Sequence, residues 1–217
     1  MNLDLARFNM IEQQIRTWDV LDERILSLLK QVPREQFVPE SERSLAFADV
    51  SIPIGNGQSM MQPKVEARML QALDVRPSDV VLEVGTGSGY VTALLATLAK
   101  HVYSVDIFDT FIASAKTQLE RAKIRNVTLE TGDASHGWPD HGPYDVIALT
   151  GSCPQVPEAY QRALKPNGRL FVVVGEAPAM EALLITHTAE GAWSRESLFE
   201  TCLPPLLNVQ RPRHFVF

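Results

Sequence analysis

Three groups of residues in this 217-residue chain have the types and spacing to do chemistry together. The first is Val81-Leu-Glu-Val-Gly-Thr-Gly-Ser-Gly-Tyr90, where glycines follow a short apolar run. Glycines at such a strand-to-helix turn allow a tight bend and a close backbone approach by a ligand, and the helix N–H groups behind it face an anion. The second is Asp106, which follows Gly85 by 21 positions at the end of the next apolar run. At that spacing a carboxylate accepts the hydroxyl protons of a ribose. The third is Gly132-Asp133-Ala134, at the end of a further run. Together they indicate a nucleoside-type cofactor. A dinucleotide fingerprint needs its third glycine at position 90, where this chain has Tyr90, and that disfavours an NAD oxidoreductase.

These groups must be positioned by an alternation of strands and helices. Val80 to Val84, His101 to Asp106, Val127 to Thr131, Tyr144 to Leu149 and Leu170 to Val174 read as short buried strands. Between them, Val91, Leu94, Leu95 and Leu98 stripe one helix, and Ile112, Ala115, Leu119 and Ala122 a second; a third spans Pro157 to Leu164. Such alternation predicts a parallel sheet covered on both faces. Leu183 to Thr188 and Trp193 to Phe199, joined by Ala189 to Ala192, predict a terminal antiparallel hairpin. Before residue 75 the chain reads as a helical preface. Leu21, Ile25, Leu28 and Leu29 form one stripe, stopped by Pro33, and Val65, Met69, Ala72 and Leu73 another behind Pro63. Ser51 to Pro63, with two glycines and two prolines, reads as an irregular loop.

The run Glu83-x-Gly85-x-Gly87-x-Gly89 resembles the first motif of class I S-adenosylmethionine-dependent methyltransferases. The preface narrows the resemblance. Met10-Ile-Glu-Gln-Gln-Ile15, Val32-Pro-Arg-Glu-Gln-Phe-Val-Pro39, Ala46-Phe-Ala-Asp49, Ile52-Pro-Ile-Gly-Asn-Gly-Gln58 and Gln62-Pro63 are similar, in order, to protein-L-isoaspartate O-methyltransferases. The likeness runs from about residue 8 to about residue 175. It implies an α/β, Rossmann-like class I methyltransferase fold: a mostly parallel seven-stranded sheet with an antiparallel C-terminal hairpin and an N-terminal helical extension. One domain is expected over 1–217, with the extension and acceptor-side loop in 1–75 and the cofactor-binding sheet in 76–217.

The resemblance also implies an activity: methylation, from S-adenosyl-L-methionine, of the side carboxylate of L-isoaspartyl and some D-aspartyl residues in damaged proteins. The ester then collapses to a succinimide. Cofactor contacts carried over are Glu83, Gly85, Thr86, Gly87, Ser88, Gly89, Asp106, Ile107, Asp133, Ala134 and Thr150. Ile54, Gly55, Gly57, Gln58 and Ser59 are carried over for the acceptor. A carboxylate with a reference pKa of about 4 is already an ionised nucleophile at neutral pH, so no catalytic base is required. The chain departs from the family on the acceptor side. The family's loop carries a serine where this chain has Met61, which leaves Ser59 as the catalytic hydroxyl candidate. Gly151-Ser-Cys-Pro154 replaces Ala-Ala-Pro-Pro, Val173 replaces a proline, and Phe199 to Leu207 is only loosely similar. These departures keep two other readings open: a methyltransferase with a different acceptor, and a non-catalytic cofactor-binding protein.

Composition sets the outer limits. Twenty Lys and Arg against 26 Asp and Glu give a net charge of −6, which argues against a nucleic-acid binder, and the three scattered tryptophans form no base-stacking platform. No apolar run approaches the roughly 20 residues of a membrane helix, and Met1 to Ile11 has no signal-peptide character. Cys153 and Cys202 are expected to be free thiols of a cytoplasmic monomer. Asp133, His136, Asp140 and His141 lack a metal-ligand spacing and read as a solvated loop, so no metal is expected. Met60 and Met61 read equally as packing or as pocket lining.

Overall fold

β-branched and aliphatic runs too short for helices become the central strands of a seven-stranded sheet. A computed structural model describes residues 2–188 and 191–209. The strands are β3 (Val80–Val84), β4 (His101–Asp106), β5 (Val127–Thr131), β6 (Tyr144–Cys153), β7 (Leu164–Glu176), β8 (Ala179–His187) and β9 (Trp193–Glu200), in the order β5-β4-β3-β6-β7-β8-β9. The β7–β8 and β8–β9 pairs are antiparallel and the others parallel. Two strands outrun their apolar cores: β6 continues through Thr150 to Cys153, and β7 begins at Leu164. The expected terminal hairpin is present, although Ala189 and Glu190 of its turn lie outside the described residues.

From β3 the chain steps one way, through α4 (Tyr90–Leu98) and α5 (Asp109–Arg121); from β6 it steps the other way, through α6 (Glu158–Arg162). The carboxyl ends of β3 and β6 therefore flank a topological switch point, where open α/β sheets bind ligands. One sheet face presents Val81, Val102, Val146, Phe171 and Val173 to a core shared with the preface; the other presents Leu82, Ile147, Leu149, Leu170 and Val172. Preface and sheet thus share one continuous core.

The preface holds α1 (Leu3–Asn9), a π-helical turn over Met10–Ile15, α2 (Glu23–Gln31) and α3 (Pro63–Leu73). Pro63 opens α3 as expected, but two expectations need correction. Leu21 is not on a helix face. Asp22 caps α2 by accepting from the Arg24 N–H at 2.8 Å, so Leu21 lies outside and is 68% exposed, whereas Ile25 is 1% exposed.

The second correction concerns the segment read as an irregular loop, which is a β-hairpin of β1 (Ile52–Gly55) and β2 (Gln58–Met60). Asn56 and Gly57 take φ of 51° and 70°, as both central residues of a type I′ hairpin turn must. Pro53 is tolerated because this two-stranded ribbon is all edge.

The cap placement gives a stability contrast. Leu21→Ala is expected to change unfolding free energy by less than about 0.5 kcal/mol, and Ile25→Ala to cost about 2–5 kcal/mol. Urea denaturation of both variants measures the difference.

Candidate active site

A cleft opens at the switch point, where open α/β sheets bind ligands. Its floor is the turn after β3. Gly85 has φ of 98°, and a Cβ added there would overlap the Thr150 hydroxyl. That hydroxyl donates to the Gly85 carbonyl at 2.6 Å, with the Val84 carbonyl at 2.9 Å. Only glycine allows β6 to lock the turn this closely.

Asp106, at the end of β4, lines one end of the cleft. Its carboxylate accepts from the N–H of Gly87 at 2.9 Å and of Phe108 at 3.0 Å, which ties the glycine turn to the next strand. Burial raises its pKa above the ordinary aspartate value, against the lowering effect of these N–H groups. Ile107, Asp133 and Ala134 line the same end. Asp133 is steered by the Ser135 N–H at 2.9 Å and the Asn208 side chain at 2.8 Å, both of which lower its pKa. Ala134 offers its carbonyl to the Tyr160 hydroxyl of α6.

At the other end, Ile54, Gln58 and Ser59 of the hairpin reach over the glycine turn into the cleft. The hairpin tip is tied to α5 by Asn56 Nδ2 donating to Thr110 Oγ1 at 3.3 Å.

Of the sequence-derived site residues, Gly85, Gly87, Asp106, Ile107, Asp133, Ala134, Thr150, Ile54, Gln58 and Ser59 meet on this one cleft. Six do not form its wall. Gly55 and Gly57 build the hairpin bend. Ser88 accepts the Tyr90 N–H at 3.3 Å. Gly89 lets α4 approach α5, since an added Cβ would lie 2.9 Å from the Ala115 Cβ. Glu83 and Thr86 are buried beneath the turn. Glu83 sits opposite Ser104 in the β3–β4 register and accepts from Ser104 Oγ at 2.6 Å and from Thr92 Oγ1. Thr86 Oγ1 lies 2.6 Å from Ser104 Oγ. These hydroxyls link the turn to Glu83, which supports the site from below.

Sequence reasoning placed Phe199 to Leu207 among the acceptor-side departures but named no site residue in it. Pro204, Pro205, Leu206 and Leu207 lie along the cleft, fastened by Ser152 N–H donating to the Pro204 carbonyl and Leu206 N–H to the Ser152 carbonyl, each at 2.9 Å. The departure at Gly151-Ser-Cys was the available signal, because an added Cβ on Gly151 would lie 2.8 Å from Leu206. Phe108 and Phe111 were also missed; they line the cleft beside Asp106.

The model of the Protein-L-isoaspartate(D-aspartate) O-methyltransferase family matches residues 6–209. The chain belongs to this family. It is 36% identical over 210 residues to the protein-L-isoaspartate O-methyltransferase of Trichlorobacter lovleyi, covering 97% of each chain. To that of Rhodopseudomonas palustris it is 39% identical over 202 residues, covering 93% of each. The fold is similar, with a TM-score of 0.79 and 20% identity, to a Plasmodium falciparum protein-L-isoaspartate O-methyltransferase crystallised with S-adenosyl-L-homocysteine; the match covers 95% of this chain and 98% of that one.

Against the family's serine, the Met61 side chain is 5% exposed and packs in the core, so Ser59 is the hairpin hydroxyl on the cleft. Cys153 is buried, and burial pushes its thiol up to about 12, which leaves it unreactive at neutral pH. His141 is engaged by Glu130 at 2.9 Å and stacks on Tyr103, while His136 meets Ser135.

Buried carboxyls set two pH responses: one through Glu83 beneath the turn and Glu66 in the first turn of α3, the other through Asp106 on the cleft. Burial pushes Glu83 to about 8 and Glu66 to about 7, from 4.5. The folded state therefore holds extra protons between about pH 4.5 and 8, so these groups stabilise fully at the acid end and their contribution is lost as pH rises to about 8. Relative to the parent, Glu83→Gln is expected to gain stability steadily from pH 5 to pH 8, which thermal melts across that range measure.

Asp106 lines the cleft, and only its ionised form can accept a ligand hydroxyl with both oxygens; its raised pKa is expected to place an acid loss of ligand affinity above the ordinary aspartate value. Asp106→Asn is expected to weaken S-adenosyl-L-homocysteine binding about 10- to 100-fold, as the loss of charge-assisted hydrogen bonds implies, and to flatten that acid limb in calorimetric titrations.

Proposed function

We propose that this chain transfers the methyl group of S-adenosyl-L-methionine to the side carboxylate of isoaspartyl residues in proteins. The observation that carries this reading is one continuous cleft that joins the glycine turn and Asp106 to the hairpin residues Ile54, Gln58 and Ser59. Its residues suit the cofactor. Asp106 supplies a carboxylate for ribose hydroxyls, Phe108 and Phe111 offer apolar surface beside it, and the glycine turn is free of side chains where the amino-acid end would pass. When bound, the cofactor supplies an electrophilic methyl group on a sulfonium.

The protein's own contribution is placement. The acceptor carboxylate is ionised at neutral pH and needs no base, so what remains is to hold it in line and exclude water. Ser59 Oγ is the donor available to orient one carboxylate oxygen, and Ile54 and the Pro204–Leu207 segment cover the cleft. We take 1–75 and 76–217 as one catalytic unit, since the two portions share a core and each supplies one end of the cleft. No helix among the described residues is long and apolar enough to cross a membrane, and two free thiols support a cytoplasmic setting.

The buried Met61 favours one second reading, a different acceptor for the same methyl group. One experiment separates the two: labelled S-adenosyl-L-methionine with an isoaspartyl peptide and its normal aspartyl twin. Transfer to the isoaspartyl peptide alone is expected. Transfer to neither, unchanged in Met61→Ser, would reject the repair activity.

A further inference from the structure

Val32-Pro-Arg-Glu-Gln-Phe-Val-Pro39 belongs to the preface, and Arg34 in it does not touch the cleft. Its side chain is nonetheless only 1% exposed, and a guanidinium so deep must have partners. Three are present, each on a different piece of the molecule. Nη2 donates to the Met61 carbonyl at 2.7 Å, and Nη1 to Glu66 Oε1 at 3.3 Å. The guanidinium carbon lies 5.2 Å from the centre of the Tyr90 ring. Met61 directly follows β2, two residues after Ser59. Glu66 is in the first turn of α3, and Tyr90 is the first residue of α4, next to the glycine turn.

We propose that Arg34 is a positioning residue for methyl transfer: its guanidinium fork sets the acceptor hairpin at a fixed distance from the cofactor turn. The proposal rests on the reading of the hairpin as the acceptor side. A two-stranded ribbon is marginal by itself, and this one is held at its tip by the exposed Asn56–Thr110 bond and at its base by the buried bond to Met61. A hairpin displaced by about 1 Å moves the Ser59 hydroxyl out of hydrogen-bond reach of an acceptor carboxylate, which weakens acceptor binding.

The energetics favour placement over stability as the reason for this cluster. Arg34 Nε, Glu66 Oε2 and the Tyr90 hydroxyl are buried with no protein partner, and burial raises the Glu66 pKa to about 7 in spite of the neighbouring Arg34. Apolar side chains in place of such an incompletely bonded pair are often neutral or stabilising. What they cannot supply is a planar donor that reaches a backbone carbonyl, a carboxylate and an aromatic face at once.

The test is the double variant Arg34→Met/Glu66→Gln, which removes the fork without leaving a charge unpaired. Its KM for an isoaspartyl peptide is expected to rise about tenfold, the equivalent of about 1.4 kcal/mol, with S-adenosyl-L-homocysteine affinity within about twofold of the parent. Arg34→Lys, which keeps one donor and the charge, is expected to return part of the lost KM. A peptide KM within twofold in the folded double variant, or a rise in KM matched by an equal loss of S-adenosyl-L-homocysteine affinity, would overturn the proposal. If the double variant does not fold, an unchanged KM in Arg34→Lys overturns it instead. Amide hydrogen exchange gives a readout independent of the acceptor. Exchange is expected to quicken over residues 52–60 and to stay unchanged over 80–106, and it decides the placement even if the parent methylates no isoaspartyl peptide.

Discussion

A carboxyl group with no access to solvent lies under the glycine turn, and the site is built upward from it. Glu83 cannot stay ionised cheaply inside the sheet, so burial holds its proton, while Oε2 accepts from two hydroxyls, those of Thr92 and Ser104, and Oε1 has no protein partner. Thr92 belongs to α4, Ser104 to β4, and Thr86, beside Ser104, to the turn itself. One residue therefore gathers the strand before the turn, the helix after it and the neighbouring strand. Asp106 repeats the device one layer higher, with backbone N–H groups in place of hydroxyls and a face left to the cleft. Two acidic residues of similar chemistry thus differ in role because one is covered by side-chain donors and the other opens to a ligand.

The second constraint is that the two ends of the cleft come from parts of the chain with different architecture. The sheet builds its own end from strand termini, whose positions follow from ladder register. The hairpin end has no such frame. It is a short hairpin whose Ile52 and Met60 are buried in the core and whose Ile54, Gln58 and Ser59 face the cleft, with a C-terminal segment fastened opposite by Ser152. The net charge of −6 repels an anionic acceptor at long range, and Asp106 and Asp133 add to this nearby. Local donors and exclusion of water must outweigh both, which is why hairpin placement matters more here than overall field.

The alternation of strands and helices, the glycine turn and Asp106 were legible because each depends on local chemistry: apolar runs, turn residues and a fixed spacing. The hairpin was not, although Asn56-Gly57 is the strongest short-range turn signal there is. Pro53 and the glycines masked it, since a segment of four and three residues has too little alternation to register as strands. Leu21 fell to the opposite error. Its spacing from Ile25 fits a helix, but Asp22 caps one residue later and removes it from the stripe. The segment Pro204–Leu207 has no regular element, and its place on the cleft follows from a long-range pairing with Ser152 that no local pattern encodes. Glu83 was expected as a cofactor contact from its place in the motif; the register opposite Ser104 puts its side chain beneath the turn, where it accepts from the Ser104 hydroxyl.

Met61 shows how a change that looks chemical in sequence can be architectural. In an extended strand Ser59 and the residue two positions on would share a face. Here β2 ends at Met60, the chain turns toward α3, and both Met60 and Met61 go into the core. The polar part of Met61 that matters is its carbonyl, taken by Arg34. A thioether at this position adds to the apolar anchor beneath the hairpin, and Ser59 is the hairpin hydroxyl that lines the cleft.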